Sequence, residues 1–244
     1  LLSRLFKRKQ GGNFTAELHA RAINQPLLVQ ADLGSQLINA YLHGPQPMQT
    51  VAGDKVGSLT VRTDSGIAVI DISGALTSRS FAANICEQPP TSYEQIRMEI
   101  AEQLADDSTK SIVLRLDTPG GEASQLGDLH DVIYQSRGQK PIIAMVDDMA
   151  YSAGYGIASA CDQIWVTRTS GVGSVGVVTY HVDQSKFNKK MGIKVEFIHA
   201  GAKKVQGNPH EPLSDTARTD IQGHINHLYD MFVEQVARGR NMTA

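Results

Sequence analysis

The chain has 244 residues, enough for one sizeable core or one domain with an ordered extension, and short for two full domains. Its 23 basic and 25 acidic residues leave a net charge of −2, which removes any bulk electrostatic ground for a nucleic-acid partner, and no apolar run approaches the ~18 residues of a membrane span. The two cysteines, Cys86 and Cys161, form no CxxC and no short Cys/His spacing, so neither a disulfide framework nor a zinc site is indicated, and a reduced, cytosolic setting is expected.

The opening stretch LLSRLFKRKQGGN is apolar and basic but lacks the apolar region and cleavage site of a secretory signal; it reads as a flexible or partner-binding arm. The chain begins with Leu and ends at NMTA just after a helical pattern, as a fragment or a processed form would. Residues 13–43 carry a helix-like mix, and HGPQPMQTVAGDKVGS has the Gly/Pro content of a linker. Residues 1–58 are therefore read as arm and linker, and 59–244 as the main domain.

From Gly66 the pattern changes. GIAVIDISGAL is a β-branched run closed by Gly, as a buried strand would be. SYEQIRMEIAEQL sets Tyr93, Ile96, Ile100 and Leu104 on one helical face, and SIVLRLD is again a strand. The helical QLGDLHDVIY, the strand PIIAMV, a small-residue helix in SAGYGIASA, the strand QIWVT, the helix SKFNKKM and the strand IKVEFIH follow. Strands alternating with helices predict an α/β fold with a largely parallel sheet and helices on its faces. SDTARTDIQGHINHLYDMFVEQVARGR closes the chain as a long amphipathic helix with Ile221, Ile225, Leu228, Phe232 and Val236 on one stripe. His224 and His227 stand three apart on it, but without a carboxylate cluster they read as a solvated face, and no metal or other cofactor is expected.

In α/β sheets reactive groups gather where strands end and helices begin. One such junction is LRLDTPGGEASQL, where Gly120 and Gly121 let the backbone approach a substrate and turn amide N–H groups outward, as an oxyanion hole requires; the plain alternative is a Pro-Gly turn. A second junction, DDMAYSAGYGIASA, puts Ser152 at a helix start, where a serine is by default an N-cap. A nucleophilic serine also needs a base, since a free hydroxyl is almost never ionised at neutral pH. His181, His199 and the pair Lys203 and Lys204 in IHAGAKKVQGNP are the downstream candidates, an amine becoming a base only once burial disfavours its charge. GVGSVG at 171–176 fits GxGxxG in form, but the strand-like VVTYHV after it denies the helix a dinucleotide fingerprint opens.

Four blocks in this order, DTPGG, SAGYGIASACDQI, TSGVGSVGVV and AGAKKVQGNP, resemble the signal peptide peptidase A family. The resemblance runs from about Gly66 to Gln235 and is strongest to the bacteriophage branch, the prohead proteases of the lambda minor capsid protein C type. It implies a Ser/Lys dyad peptidase with Ser152 as nucleophile and Lys204 as base, Lys203 being a bystander. Ser174 is implied as the hydroxyl that bonds the lysine, and Gly121 with the Ala153 N–H as the oxyanion hole, Gly120 standing beside them. Ala153 and Val172 depart from the residues frequent in the family, without removing a reactive group.

The resemblance also implies a Clp-protease-like or crotonase-like spiral of ββα units and a homo-oligomeric ring. It places the protein in the host cytoplasm within an assembling prohead, with scaffold, capsid or portal proteins and the chain itself as substrates, and neither nucleic acid nor membrane as partner. Three other readings stay open: a crotonase-fold enzyme acting on an acyl-CoA, an inactive scaffold-binding shell component, and a peptidase whose base is a histidine.

Overall fold

The computed structural model describes residues 26–29, 58–80 and 90–244. The remainder of the stretch read as an arm, with its helix-like segments, lies outside the described residues, as do residues 81–89 with Cys86. The elements in chain order are β1 (Leu27–Val29), β2 (Thr60–Arg62), β3 (Ile67–Ser73), β4 (Leu76–Thr77), β5 (Thr91–Ser92), α1 (Tyr93–Ala105), β6 (Ser111–Thr118) and β7 (Gly120–Glu122). Then come α2 (Leu126–Gln135), β8 (Ile142–Tyr151), α3 (Ala153–Ala160), β9 (Gln163–Val166), β10 (Gly171–Gly173), α4 (Ser185–Lys190) and α5 (Asp215–Arg240).

The larger sheet is mainly parallel, in the order β10-β8-β6-β3-β2, with only β2 running antiparallel. β9 lies along residues 143–146 of β8 and β10 along 149–151. The smaller sheet has the order β1-β7-β4-β5. Large-sheet strand, small-sheet strand and helix follow one another as β3-β4-α1, with the short β5 of the small sheet before α1, and again as β6-β7-α2, the ββα rhythm of a spiral.

Period-two patterning decides which face of the large sheet is covered. Ala68 of β3 is buried, and Ile70 and Ile72 of β3, Ile112, Leu114 and Leu116 of β6, and Ile142, Ala144 and Val146 of β8 are buried in one core with Ile96 and Ile100 of α1 and Leu129 and Ile133 of α2. The intervening residues face the other way: Asp71, Arg115, Met145 and Trp165 line up across β3, β6, β8 and β9, with Arg115 paired to Asp71. Among the described residues the helices thus cover one face of the sheet and not both, which corrects the two-faced arrangement expected. The charges at 71 and 115 inside apolar runs are the reason: a strand buried on both faces reads apolar throughout.

Ser92 caps α1, its hydroxyl accepting from the Gln95 N–H at 3.1 Å, and buried Glu99 holds the entry to the domain by accepting from Ser58 Oγ, the Leu59 N–H and Thr60 Oγ1. The stripe expected on the last helix is buried mainly at its C-terminal end, where Phe232, Ala237 and Gly239 dock on α3 and α2. Arg137, just past α2, donates to the carbonyls of Ser159, Ala160, Cys161 and Gly239 at 2.6 to 3.1 Å, tying α5 to the end of α3.

His130 is fully buried beside this tie. Arg238 has only donors, so His130 Nδ1, 3.1 Å from it, must accept, and the ring is neutral with its proton on Nε2. Burial, aided by the Arg238 charge, lowers its pKa to about 4. The unfolded chain, with an ordinary histidine, binds the proton near pH 6.5. The stabilisation is therefore complete above that pH and is lost on acidification toward pH 4, amounting to at most about 3 kcal/mol. Urea unfolding followed between pH 7 and 4 should show this loss in the wild type and a shallower one in His130→Phe.

Two expected strands are missing. VVTYHV contributes one isolated bridge at Val178, and IKVEFIH forms no strand. Strand propensity becomes a strand only where a neighbour supplies a continuous ladder, and among the described residues neither segment has one.

Candidate active site

The site grows out of two strand ends held together by the parallel pairing of β6 and β8. The register slips between Leu116 and Thr118, so that Thr118 pairs with Ala150. Thr118 is buried; its hydroxyl donates to Gly74 O at 2.6 Å and accepts from the Gly120 N–H at 3.1 Å, fastening two crossovers from the large sheet to the small one. Gly120 has φ 104°, which an L side chain would resist. A Cβ on Gly121 would overlap the Leu76 carbonyl, so only glycine lets β7 lie this close to β4. Gly120 therefore shapes the turn, but its N–H is already used and it is no oxyanion donor, contrary to its grouping with Gly121.

β8 ends at Tyr151 and α3 begins at Ala153, with Ser152 between them at φ 52° and ψ −113°. A non-glycine residue held there costs on the order of 1–3 kcal/mol and persists only when its surroundings enforce it. They do so here: the Ser152 N–H donates to Gly173 O at 2.7 Å, and the Ser152 carbonyl accepts from the Gly156 N–H at 2.9 Å. Gly154 lets the helix start close in, since a Cβ there would stand 2.6 Å from Thr118 Cγ2. The Ser152 side chain makes no capping bond; its Oγ lies 3.5 Å from Gly176 O, a weak contact at best. The N-cap reading of this serine fails in this structure. The Ala153 N–H, in the first turn of the helix, meets no acceptor among the described residues.

Ser174 follows β10 in the loop that supports Ser152, at φ 55° and exposed. Lys203 and Lys204 lie in the turns at 201–207, and the structure separates them. Lys203 is paired with Asp220 at 2.6 Å, which holds that carboxyl below the usual range. Lys204 is exposed, and no hydrogen bond joins it to Ser152 or Ser174. Within the single chain the structure brings together Ser152, Ala153 and the Gly173–Gly176 loop, with α3 packed on β7. It does not bring Lys204 onto Ser152.

Of the two histidines weighed as a base, His199 is exposed with Nδ1 at 3.2 Å from Gly201 O, and both ring nitrogens of His181 are buried and meet no hydrogen-bond partner among the described residues. Sequence reasoning missed the strain at Ser152 and the role of Thr118. A Thr two residues before a Gly pair is the one local sign of the latter.

Comparison with known proteins adds a second line of observation. Residues 135–244 match the model for Peptidase family S49. The chain is 34% identical over 239 residues to the head-tail preconnector protein GP5 of Enterobacteria phage P21, covering 89% of this chain and 48% of that protein. It is 34% identical over 193 residues to the capsid assembly protease C of Escherichia phage lambda, covering 77% and 43%. The chain thus spans about half the length of these relatives. Among solved structures, an enoyl-CoA hydratase from Mycobacterium avium aligns over 78% of this chain and 87% of its own at 14% identity and a TM-score of 0.40, from which no reaction follows.

Proposed function

We propose, from the match of residues 135–244 to the model for Peptidase family S49, that this chain is a serine endopeptidase whose nucleophile is Ser152 and whose general base is Lys204. The observation that carries the reading is the strained strand-to-helix turn at Ser152, which frees the hydroxyl from capping and sets it beside an unused helix-start N–H. Oγ attacks a peptide carbonyl carbon and its proton passes to the unprotonated Lys204 amine. The Ala153 N–H and, once the substrate strand has displaced β1 from its pairing with β7, the Gly121 N–H hold the oxyanion, and the leaving amine takes the proton back from the lysine. Water then cleaves the ester with Lys204 again accepting the proton, and the serine hydroxyl is restored. Ser174 orients the lysine.

An amine works as a base only when shielded from water, and Lys204 is exposed in the single chain. The turn that carries it must close over Ser152, from the same chain or from a neighbour in a ring. The substrate is held as an added strand along β7, on the edge where Leu27–Val29 of the chain itself now pairs antiparallel with Gly120–Glu122. That placement supports self-cleavage. The likeness to a phage head-tail preconnector protein and a phage capsid assembly protease supports a role in capsid maturation, with scaffold, capsid or portal proteins as substrates inside the prohead.

A fluorophosphonate probe tests the reading. It should add one equivalent to the wild type at Ser152 by intact mass and peptide mapping, and none to Ser152→Ala. Equal labelling of the two would sink the assignment.

A further inference from the structure

The stretch between α4 and the lysine turn has the composition of a strand and none of the bonds of one. From residue 194 to 198 the backbone makes no hydrogen bond with any described residue. Its side chains are as open as its backbone: Ile193 is 51% exposed, Val195 40% and Ile198 fully exposed. Only Phe197 is partly covered, by the tilted ring of His210 at 6.1 Å. Unpaired N–H and C=O groups beside bare β-branched side chains form an edge that recruits another strand.

The order of residues specifies which strand. In Ile193-Lys194-Val195-Glu196-Phe197, Lys194 and Glu196 project to one face, where they approach each other at 3.8 Å with side chains 87% and 77% exposed. Ile193, Val195 and Phe197 project to the other. Laid antiparallel on a copy of itself about Val195, the segment sets Lys194 opposite Glu196 and Glu196 opposite Lys194 on the first face. On the second it sets Ile193 opposite Phe197 on both sides of a central Val195 pair. Directly opposed residues share a face, so each charge meets its opposite and each apolar group an apolar one. A parallel pairing in the same register would oppose Lys to Lys and Glu to Glu.

We infer that residues 193–197 form a two-fold antiparallel strand pair with the same residues of a second copy of this chain, centred on Val195. The contact is isologous and closes on itself, so a ring would need a further contact elsewhere. It does not depend on the peptidase reading, although it would fix the segment that leads into Lys204.

Charge reversal tests it through oligomeric state. Lys194→Glu alone places four carboxylates around the axis, and Glu196→Lys alone places four ammonium groups there. Each should weaken self-association by about ten-fold in sedimentation velocity. Lys194→Glu/Glu196→Lys together restore opposite pairing and should recover the wild-type value. A second measurement uses Val195→Cys in a Cys86→Ser background; buried Cys161, whose thiol burial pushes to about 12, takes no part. Mild oxidation should give a covalent dimer linked 195 to 195. A monomeric wild type, single reversals without effect, a double variant that is not rescued, or the absence of the 195–195 link would each overturn the pairing.

Discussion

Alanine at position 152 is expected to lower peptide hydrolysis by at least about 10⁴-fold, and alanine at 204 by a comparable factor, because nucleophile and base act as one unit. Lys203→Ala should stay within about two-fold of wild type: its ion pair with Asp220 is exposed, and such pairs contribute little. The contrast between adjacent lysines makes the experiment informative, since both carry the same charge on the same turn and a loss of general electrostatic attraction would affect them alike. The measurement is kcat/KM on a peptide drawn from a capsid scaffold protein, with thermal melting to show that each variant folds. Full activity in Lys204→Ala would end the dyad assignment.

The position of the candidate site in the fold is legible in the sequence. Ser152 stands where a β-branched run gives way to small residues, and Gly120 and Gly121 where another such run meets proline; both are strand ends in the structure. What was not legible depends on contacts between distant segments. The positive φ of Ser152 is enforced by the carbonyl of Gly173, 21 positions away, and nothing local to SAGY announces it. The Gly120 N–H is consumed by a threonine whose hydroxyl is itself positioned by Gly74.

IKVEFIH has every local property of a strand and lacks only a partner among the described residues, which local sequence has no means of reporting. The open sheet face is the opposite case. Asp71, Arg115, Asp117 and Asp147 alternate with apolar residues in plain view, and alternation rather than a continuous apolar run is the mark of a strand bare on one side.

Gly239→Ala and Gly223→Ala lie in the same helix and are expected to shift stability in opposite directions. On intrinsic propensity alone each should stabilise α5 by up to about 1 kcal/mol, since glycine is the costlier residue in a helix interior. At Gly223, exposed and with nothing within 4 Å of an added Cβ, that gain should be realised as a Tm rise of a few degrees.

At Gly239 the added carbon would overlap the carbonyl oxygen of Ser159 and come within 3.3 Å of His130 Nε2. A backbone carbonyl does not swing aside, and this one is fixed by Arg137 and Arg240. Either α5 lifts from α3, weakening the Arg137 bond to Gly239 O and uncovering Phe232, or the end of α3 is displaced. We expect a loss of about 3 kcal/mol, outweighing the propensity gain severalfold. A tolerated Gly239→Ala would mean that α5 does not dock on α3 in this way. Because Ser152 stands at the opposite end of that eight-residue helix, a displaced helix end should also lower phosphonate labelling at temperatures where the variant is still folded.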